Sequence, residues 1–146
     1  MSEKIVKILF LTLTIILLTS PLFGGSHQPA NLYRWETVSG IVWKGFGDKD
    51  IHPKYLGEVD KGKPNGVGIL VYPDGDKYVG EFKMGSFHGL GTRFSFYLPL
   101  KKEWFIRFDG EWKDGKMWNG MTKNKDGVEY FRWEEGKCYP KTQSCR

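Results

Sequence analysis

From residue 55 onward, aromatic or apolar residues alternate with polar ones in short runs, as they do in strands with one buried face. Tyr78, Gly80 and Phe82 fall on one side of such a strand, and the residues between them fall on the other. Residues 55–59 and 108–112 keep the same phase. Turns rich in glycine or proline separate the runs, which predicts β-hairpins rather than helices.

The runs belong to an internal repeat. The segment YLGEVDKG at Tyr55 lines up with YVGEFKMG at Tyr78, and a third copy, FDGEWKDG, begins at Phe108. Each copy continues into a second strand, so that each forms a hairpin and the hairpins stack into an antiparallel sheet. The predicted copies are residues 55–77, 78–107 with an insertion, 108–129 and a partial fourth, 130–137.

Glycine recurs most strictly in the repeat, and the chain holds 19 glycines among its 146 residues. A strand glycine leaves bare backbone on which a neighbouring aromatic ring can lie. We therefore expect rings from one hairpin to pack on the glycines of the next. The recurring ring and glycine positions are Tyr55, Gly57, Gly66, Gly68, Tyr78, Gly80, Gly89, Gly91, Phe108, Gly110 and Trp112.

This pattern resembles the MORN repeat. Tyr, Gly-Glu and a later Gly-x-Gly recur at the family's spacing, and the family's His-Gly is present once, as His88-Gly89. The resemblance covers about residues 55–137. It implies an all-β fold, an elongated single-layer antiparallel sheet of stacked hairpins. It also implies protein or membrane association rather than catalysis. Arg93 stands where an apolar residue is expected, which predicts a bulge or register slip near it.

The N-terminus has the pattern of a secretory signal. Lys4 and Lys7 precede the apolar run 8–18, and small residues follow near Gly24. This predicts a signal peptide over residues 1–24, with an uncleaved membrane anchor as the alternative. Either way the rest of the chain is exported, which predicts a periplasmic, secreted or cell-surface location, tethered to the membrane if the segment is retained.

Two further segments flank the repeats. Residues 25–54 form a lead-in in which one or two strands are predicted. The tail, residues 138–146, holds Cys138 and Cys145, the only cysteines in the chain. Because an exported chain meets an oxidising compartment, the two are candidates for a disulfide bond that closes a small loop.

The insertion in the second copy is the most individual stretch of the sequence. Lys101 and Lys102 precede Trp104 and Phe105. Adjacent strand residues point to opposite faces, so one of these two rings is expected to be exposed. One interpretation is a surface for a protein partner, a glycan or an anionic headgroup. The alternative is that the aromatic residues of the insertion cover the core.

A carboxylate follows the strand glycine in each copy, at Glu58, Glu81 and Glu111. Equivalent strands of successive hairpins lie about 10 Å apart, too far for a retaining glycosidase pair. A catalytic pair also needs two different environments, whereas a repeated residue has the same one each time. A structural role is therefore the better interpretation.

Other chemistry is not indicated. The three histidines are scattered along the sequence, so no metal site is predicted, and no motif for a cofactor is present. The formal net charge is +5, and no basic run exceeds two residues, so a nucleic-acid groove is not expected.

The sequence thus predicts a non-catalytic binding or scaffolding module at the cell envelope or outside the cell. Its expected partner is a protein or an envelope component, recognised through the repeat sheet. Two alternatives remain: a hydrolase that acts on envelope glycan through the repeated carboxylates, and a binder of anionic membrane surfaces.

Overall fold

The computed structural model describes residues 30–95 and 106–140. They form one antiparallel sheet of ten strands in the order β10-β9-β8-β7-β6-β5-β4-β3-β1-β2, which confirms the predicted all-β, single-layer sheet of hairpins. The strands are β1 Ala30–Thr37, β2 Gly40–Lys44, β3 Lys54–Asp60, β4 Lys63–Val71, β5 Lys77–Lys83, β6 Ser86–Ser95, β7 Ile106–Lys113, β8 Lys116–Asn124, β9 Glu129–Glu134 and β10 Lys137–Pro140. Within these residues, no helix is long and apolar enough to cross a membrane.

The first hairpin is turned relative to the others, because β1 rather than β2 lies beside β3. The connection 45–53 therefore returns from the edge of the sheet past β1. Two contacts hold it there: Arg34 N donates to Pro53 O at 2.9 Å, and the Trp35 and His52 rings stack at 3.8 Å. Strand β2 is consequently one edge of the sheet, and β10 is the other.

The pleat gives the sheet two different faces. One, the aromatic face, carries the buried core, which consists of Leu32, Tyr55, Leu70, Tyr78, Phe82, Phe108 and Trp112. The other, the open face, carries exposed aliphatic residues, which are Leu56, Val67, Ile69, Val71, Val79 and Leu90. In the described part of the chain no second layer covers either face, so that the core is built from side chains of one sheet.

The strand register places six glycines in one row across β3 to β8: Gly57, Gly68, Gly80, Gly91, Gly110 and Gly120. A Cβ at Gly91 would lie 2.5 Å from Tyr78 Cζ, and one at Gly68 would lie 2.6 Å from Tyr55 Cζ. The tyrosine rings therefore lie directly on the glycine backbone, where no larger residue fits.

The expectation that each ring covers the next hairpin's glycine is wrong in one respect. Tyr78 of β5 covers Gly91 of β6, which belongs to its own hairpin. The ring leans across the glycine row toward its partner strand. Successive hairpins are joined instead by contacts between rings, with centroids 4.9 Å apart for Tyr55 and Phe82 and 5.3 Å apart for Tyr78 and Trp112.

The pairing between the strands of a repeat shifts register next to the repeated glutamate. In the first two repeats the shifts lie between Gly57 and Val59 and between Gly80 and Phe82. There the tyrosine hydroxyls donate to main-chain carbonyls, Tyr55 Oη to Glu58 O at 2.6 Å and Tyr78 Oη to Glu81 O at 2.9 Å. Each ring thus satisfies a carbonyl that the irregular pairing displaces from the ladder.

The slip expected near Arg93 does not occur in the described residues. Strand β6 pairs with β7 without interruption from Gly89 to Ser95. Arg93 keeps its place on the aromatic face because its guanidinium reaches the Asp76 carboxylate, with Nη2 and Oδ2 3.3 Å apart.

The hairpin turns of the second, third and fourth repeats are each bonded to the hairpin before them. In the second repeat Gly85 N donates to Pro64 O at 2.8 Å, and Met84 N donates to Asn65 Oδ1 at 3.2 Å. Equivalent main-chain bonds join Gly115 to Phe87 and Gly136 to Trp118, both at 2.9 Å. These bonds add to the ring contacts and fix the spacing of the stack.

Exchanging tyrosine and phenylalanine in the repeats is expected to change stability in opposite directions. Tyr78→Phe removes the bond to Glu81 O and is expected to cost about 1 kcal/mol. Phe108→Tyr adds a hydroxyl at the equivalent position before Glu111 and is expected to stabilise by up to about 1 kcal/mol. Urea unfolding measures both, and a loss of stability in both variants would contradict the assigned role of the hydroxyl.

Alkaline pH is expected to destabilise the protein through the same phenols. Burial, and then the charge of Glu58, raises the pKa of Tyr55 from 10.0 to about 12. Burial, and then Glu81, shifts the pKa of Tyr78 in the same direction. Because the folded-state pKa exceeds the unfolded one, this stabilisation is complete below pH 10 and is lost toward pH 12. Urea unfolding between pH 10 and pH 12 should show that the Tyr55→Phe/Tyr78→Phe variant loses less stability than the parent protein. An equal loss of stability in the two proteins would contradict the role assigned to these phenols.

A candidate binding groove on the aromatic face

The aromatic face carries a shallow groove of about 250 Å3 between the first hairpin and the second repeat. We call it the Arg34–Arg93 groove after the two cations that line it. Its other lining residues are Ile41, Trp43, Leu70, Tyr72, Gly85, Ser86, Phe87 and Gly115. Aromatic and aliphatic side chains thus surround two guanidinium groups.

Arg34 reaches the groove from β1. It pairs with Trp43 of β2, and alternation along β1 places it on the same face as buried Leu32. Its Nη1 donates to Tyr72 Oη at 3.1 Å, and its Nη2 lies 3.0 Å from Glu36 Oε1. These bonds hold the guanidinium in one orientation over the groove.

Arg93 enters from β6, where the register places it between Tyr78 and Phe108. Both neighbours are almost fully buried, so the stem of Arg93 packs among rings. Its Nη2 lies 3.3 Å from Asp76 Oδ2. The Arg93 guanidinium is therefore also held by a carboxylate, which contacts its Nη2.

Each of these arginines retains a buried donor. Within the described residues, Nε of Arg34 and Nε of Arg93 are buried and have no hydrogen-bond partner. A buried donor without a partner costs about 1–3 kcal/mol, and more when the group is charged. Because both arginines line the groove, it is a candidate site for a carboxylate or a similar anion.

Two of the three repeated glutamates, Glu81 and Glu111, accept structural hydrogen bonds. Leu90 N donates to Glu81 Oε1 at 3.0 Å, and Asn119 Nδ2 donates to Glu111 Oε2 at 2.8 Å. Glu58, Glu81 and Glu111 stand on β3, β5 and β7, with one strand between successive members. This arrangement favours the structural interpretation of the carboxylate row over a catalytic pair.

The predicted partner surface lies outside the described residues. This applies to Lys101, Lys102, Trp104 and Phe105, so both interpretations of the insertion stay predictions. Cys138 lies in β10, opposite Trp133, whereas Cys145 is not among the described residues. The disulfide bond between the two cysteines also stays a prediction. Across residues 30–95 and 106–140, no group of three or more metal-ligating side chains is present.

Comparison with known protein families matches residues 55–77, 78–95 and 108–118 to the MORN repeat. The chain thus contains three MORN repeats. MORN repeats are generally non-catalytic modules that mediate binding to proteins or membrane lipids. This agrees with the hairpin stack and with the structural role of the repeated glutamates.

Two curated proteins illustrate the relationship. Alsin of Rattus norvegicus is 37% identical over 100 residues, which are 66% of this chain and 6% of Alsin. The ALS2 C-terminal-like protein of Homo sapiens is 41% identical over 64 residues, which are 43% of this chain and 6% of that protein. The chain thus spans a small part of the length of these relatives, and the likeness extends no further than that part.

The groove combines a MORN repeat with residues outside the matched segments. Arg93 belongs to the second matched repeat, whereas Arg34 and Trp43 come from the lead-in hairpin. The sequence showed that Arg93 is irregular within the repeat, but it did not identify the groove. The one sequence feature that pointed to the groove was this cation at a position where the repeat has an apolar residue. Arg34 and Tyr72 gave no such signal, because their contact across β1 and the β4–β5 turn depends on the strand order.

Proposed function

We propose that this MORN-repeat protein is an exported, non-catalytic binding module that takes an acidic segment of a protein partner into the Arg34–Arg93 groove. One observation carries the proposal: two arginines line one groove whose other walls are largely aromatic and aliphatic, and the buried Nε of each has no hydrogen-bond partner among the described residues. A partner residue with a carboxylate flanked by apolar side chains matches both the charge and the lining. The sheet acts as the scaffold that holds the two arginines in place.

The local charge favours a protein segment over an anionic membrane. Glu36 and Asp76 stand beside the two arginines, so the groove itself has no excess of positive charge. Binding to an anionic lipid surface depends on clusters of about four to eight basic residues. A single carboxylate needs only a directed donor set, which arginine forks provide.

The location is proposed from the sequence. The basic residues and apolar run before residue 25 support export, so the location we propose for the mature protein is the cell envelope or the outside of the cell. Mass spectrometry of the native protein tests this. A mass that lacks the first 24 or so residues supports export by a cleaved signal, and a full-length chain in the cytosol would contradict export. The same mass reports the Cys138–Cys145 bond as a deficit of two hydrogens.

The groove is tested with a blocked tripeptide that has glutamate between two leucines. NMR of isotope-labelled protein follows the Nε–H resonances of Arg34 and Arg93. The glutamate peptide is expected to shift both resonances, and the matched glutamine peptide is expected to bind about tenfold more weakly or worse. Equal binding of the two peptides, or no shift with either, would overturn the proposal.

Arg93→Lys provides the matched variant, because lysine keeps the charge but has no Nε donor. We expect this variant to remain folded and to lose binding of the glutamate peptide. Vesicles that contain phosphatidylserine test the membrane alternative. Co-sedimentation that Arg93→Lys leaves unchanged, without peptide binding, would assign the protein to membranes instead.

A further inference from the structure

Strand β2 forms one edge of the sheet and lacks the features that protect an edge. Its five residues, Gly40–Lys44, pair with β1 in one unbroken register and include no proline. Ile41 and Val42 are 51% and 41% exposed. Natural proteins protect edge strands with proline, bulges, charged side chains or covering segments, because a bare edge is a template for another strand.

The opposite edge of the sheet is protected. Strand β10 has only four residues, Lys137–Pro140, and ends at a proline, which has no N–H to offer to a further strand. In β2 the one charged residue is Lys44, whose ammonium lies 4.2 Å from the centroid of the Trp35 ring on β1. This cation is held over the neighbouring strand, so that β2 is the edge that can accept a further strand.

The hydrogen bonds of β1 show which groups of β2 point outward. Arg34 N donates to the chain immediately before β3, so its main-chain groups face β3. Because these groups alternate sides along a strand, Trp35 directs its own toward its partner in β2, Val42. By the same alternation, the N–H and C=O groups of Ile41 and Trp43 point away from β1. In the described part of the chain, no other strand pairs with them.

The sequence of β2 is complementary to itself in one antiparallel register. Val42 faces Val42 of a second copy across a twofold axis, and Ile41 pairs with Trp43 of that copy. Gly40 then pairs with Lys44. Each Ile41–Trp43 pair exchanges both of its outward main-chain hydrogen bonds. The register sets apolar side chains opposite apolar ones and places no like charges opposite each other.

We infer that β2 binds β2 of a second copy, so that two ten-stranded sheets join edge to edge into one continuous sheet. A twofold axis perpendicular to the sheet keeps both aromatic faces on the same side. Ile41 and Trp43 also line the Arg34–Arg93 groove, so the two grooves lie beside each other at the junction. Because the pairing buries a small area, the dimer is weak and forms at high protein concentration.

Sedimentation equilibrium of the purified protein, at concentrations up to about 1 mM, tests this inference. The expected result is a monomer–dimer equilibrium. Ile41→Pro removes an outward N–H that the pairing with β1 does not use, whereas Ile41→Ala shortens the side chain and keeps the N–H. We expect the proline variant to dimerise about tenfold more weakly than the alanine variant.

Two outcomes would overturn the inference. One is a protein that is monomeric at every concentration, and the other is equal association of the proline and alanine variants. Thermal unfolding verifies that both variants are folded.

Opposite charges at Val42 test the axis and the register, and they do not depend on the proline variant. Val42→Lys sets two ammonium groups against each other and Val42→Glu sets two carboxylates against each other. Each variant alone is expected to dimerise about fivefold more weakly or worse. An equal mixture of the two is expected to associate at least as strongly as the parent, because each lysine then faces a glutamate.

Val38→Lys is the control for these charges, because Val38 is fully exposed in the β1–β2 turn and lies outside the pairing. We expect it to associate as the parent does. A mixture of the two Val42 variants that associates no better than either one alone would show that the proposed pairing is wrong. None of these experiments uses the groove peptide, so this inference and the proposed function can fail independently.

Discussion

Gly91→Ala is expected to destabilise the protein by about 2–3 kcal/mol, near the upper end of the cost of overpacking. The added Cβ would lie 2.5 Å from Cζ and 2.7 Å from Cε2 of Tyr78. That ring has no room to retreat, because it stacks on Phe87 with centroids 3.8 Å apart and meets Trp112 edge-on at 5.3 Å. The measurement is the free energy of unfolding in urea.

Gly45→Ala is the control for this substitution. A Cβ at Gly45 would meet no atom within 4 Å, and the residue does not adopt a left-handed conformation. We expect its stability to be unchanged or slightly raised, since alanine restricts the unfolded chain. If Gly91→Ala is tolerated as well as Gly45→Ala, the close packing of ring on backbone is wrong.

Trp112→Ala is expected to have the largest effect of a single substitution, about 3–5 kcal/mol. Trp112 is 2% exposed and lies between rings of two repeats, with centroids 5.3 Å from Tyr78 and 5.1 Å from Phe108. Its Nε1 also donates to Gly91 O at 3.1 Å. The substitution therefore opens a cavity and removes a hydrogen bond at the junction of the second and third repeats.

Trp118→Ala serves as the comparison, because this tryptophan is only half-buried. The Lys113 ammonium lies 4.2 Å from the centroid of its ring. We expect a loss of about 1 kcal/mol or less. Similar unfolding free energies for the two variants would show that Trp112 does not join the repeats as described.

The hairpins could be predicted from sequence because two independent periods agree. The alternation of aromatic or glycine residues with polar or aliphatic ones in 78–82 predicts a strand. The recurrence of a similar segment at Tyr55 and Phe108 predicts that this strand is part of a stack of hairpins. Both signals are local, and they do not depend on how distant segments meet. The ring that covers each glycine was predicted less well, because sequence does not show which way a ring leans across the row.

The groove could not be predicted, because it depends on strand order. Arg34 and Arg93 line the same groove only because β1, and not β2, lies beside β3. No sequence pattern in the lead-in specifies that order. It is stabilised by contacts of the returning connection, such as Trp35 Nε1 donating to Phe46 O at 3.0 Å.

Both faces of the sheet stay accessible because the sheet has a single layer. Rings packed on glycines form a core that needs no second sheet, so the groove side keeps access for a partner. The aliphatic residues of the open face stay exposed for the same reason. Stability and binding therefore depend on the same packing of rings on bare backbone.

A double-mutant cycle between Gly91 and Tyr78 tests that packing most directly. The free energy of unfolding is measured for the parent, Gly91→Ala, Tyr78→Ala and the double variant. If the ring occupies the space above Gly91, the alanine should cost about 2 kcal/mol or more in the parent and nearly nothing once the ring is removed. An equal cost in both backgrounds would contradict the account.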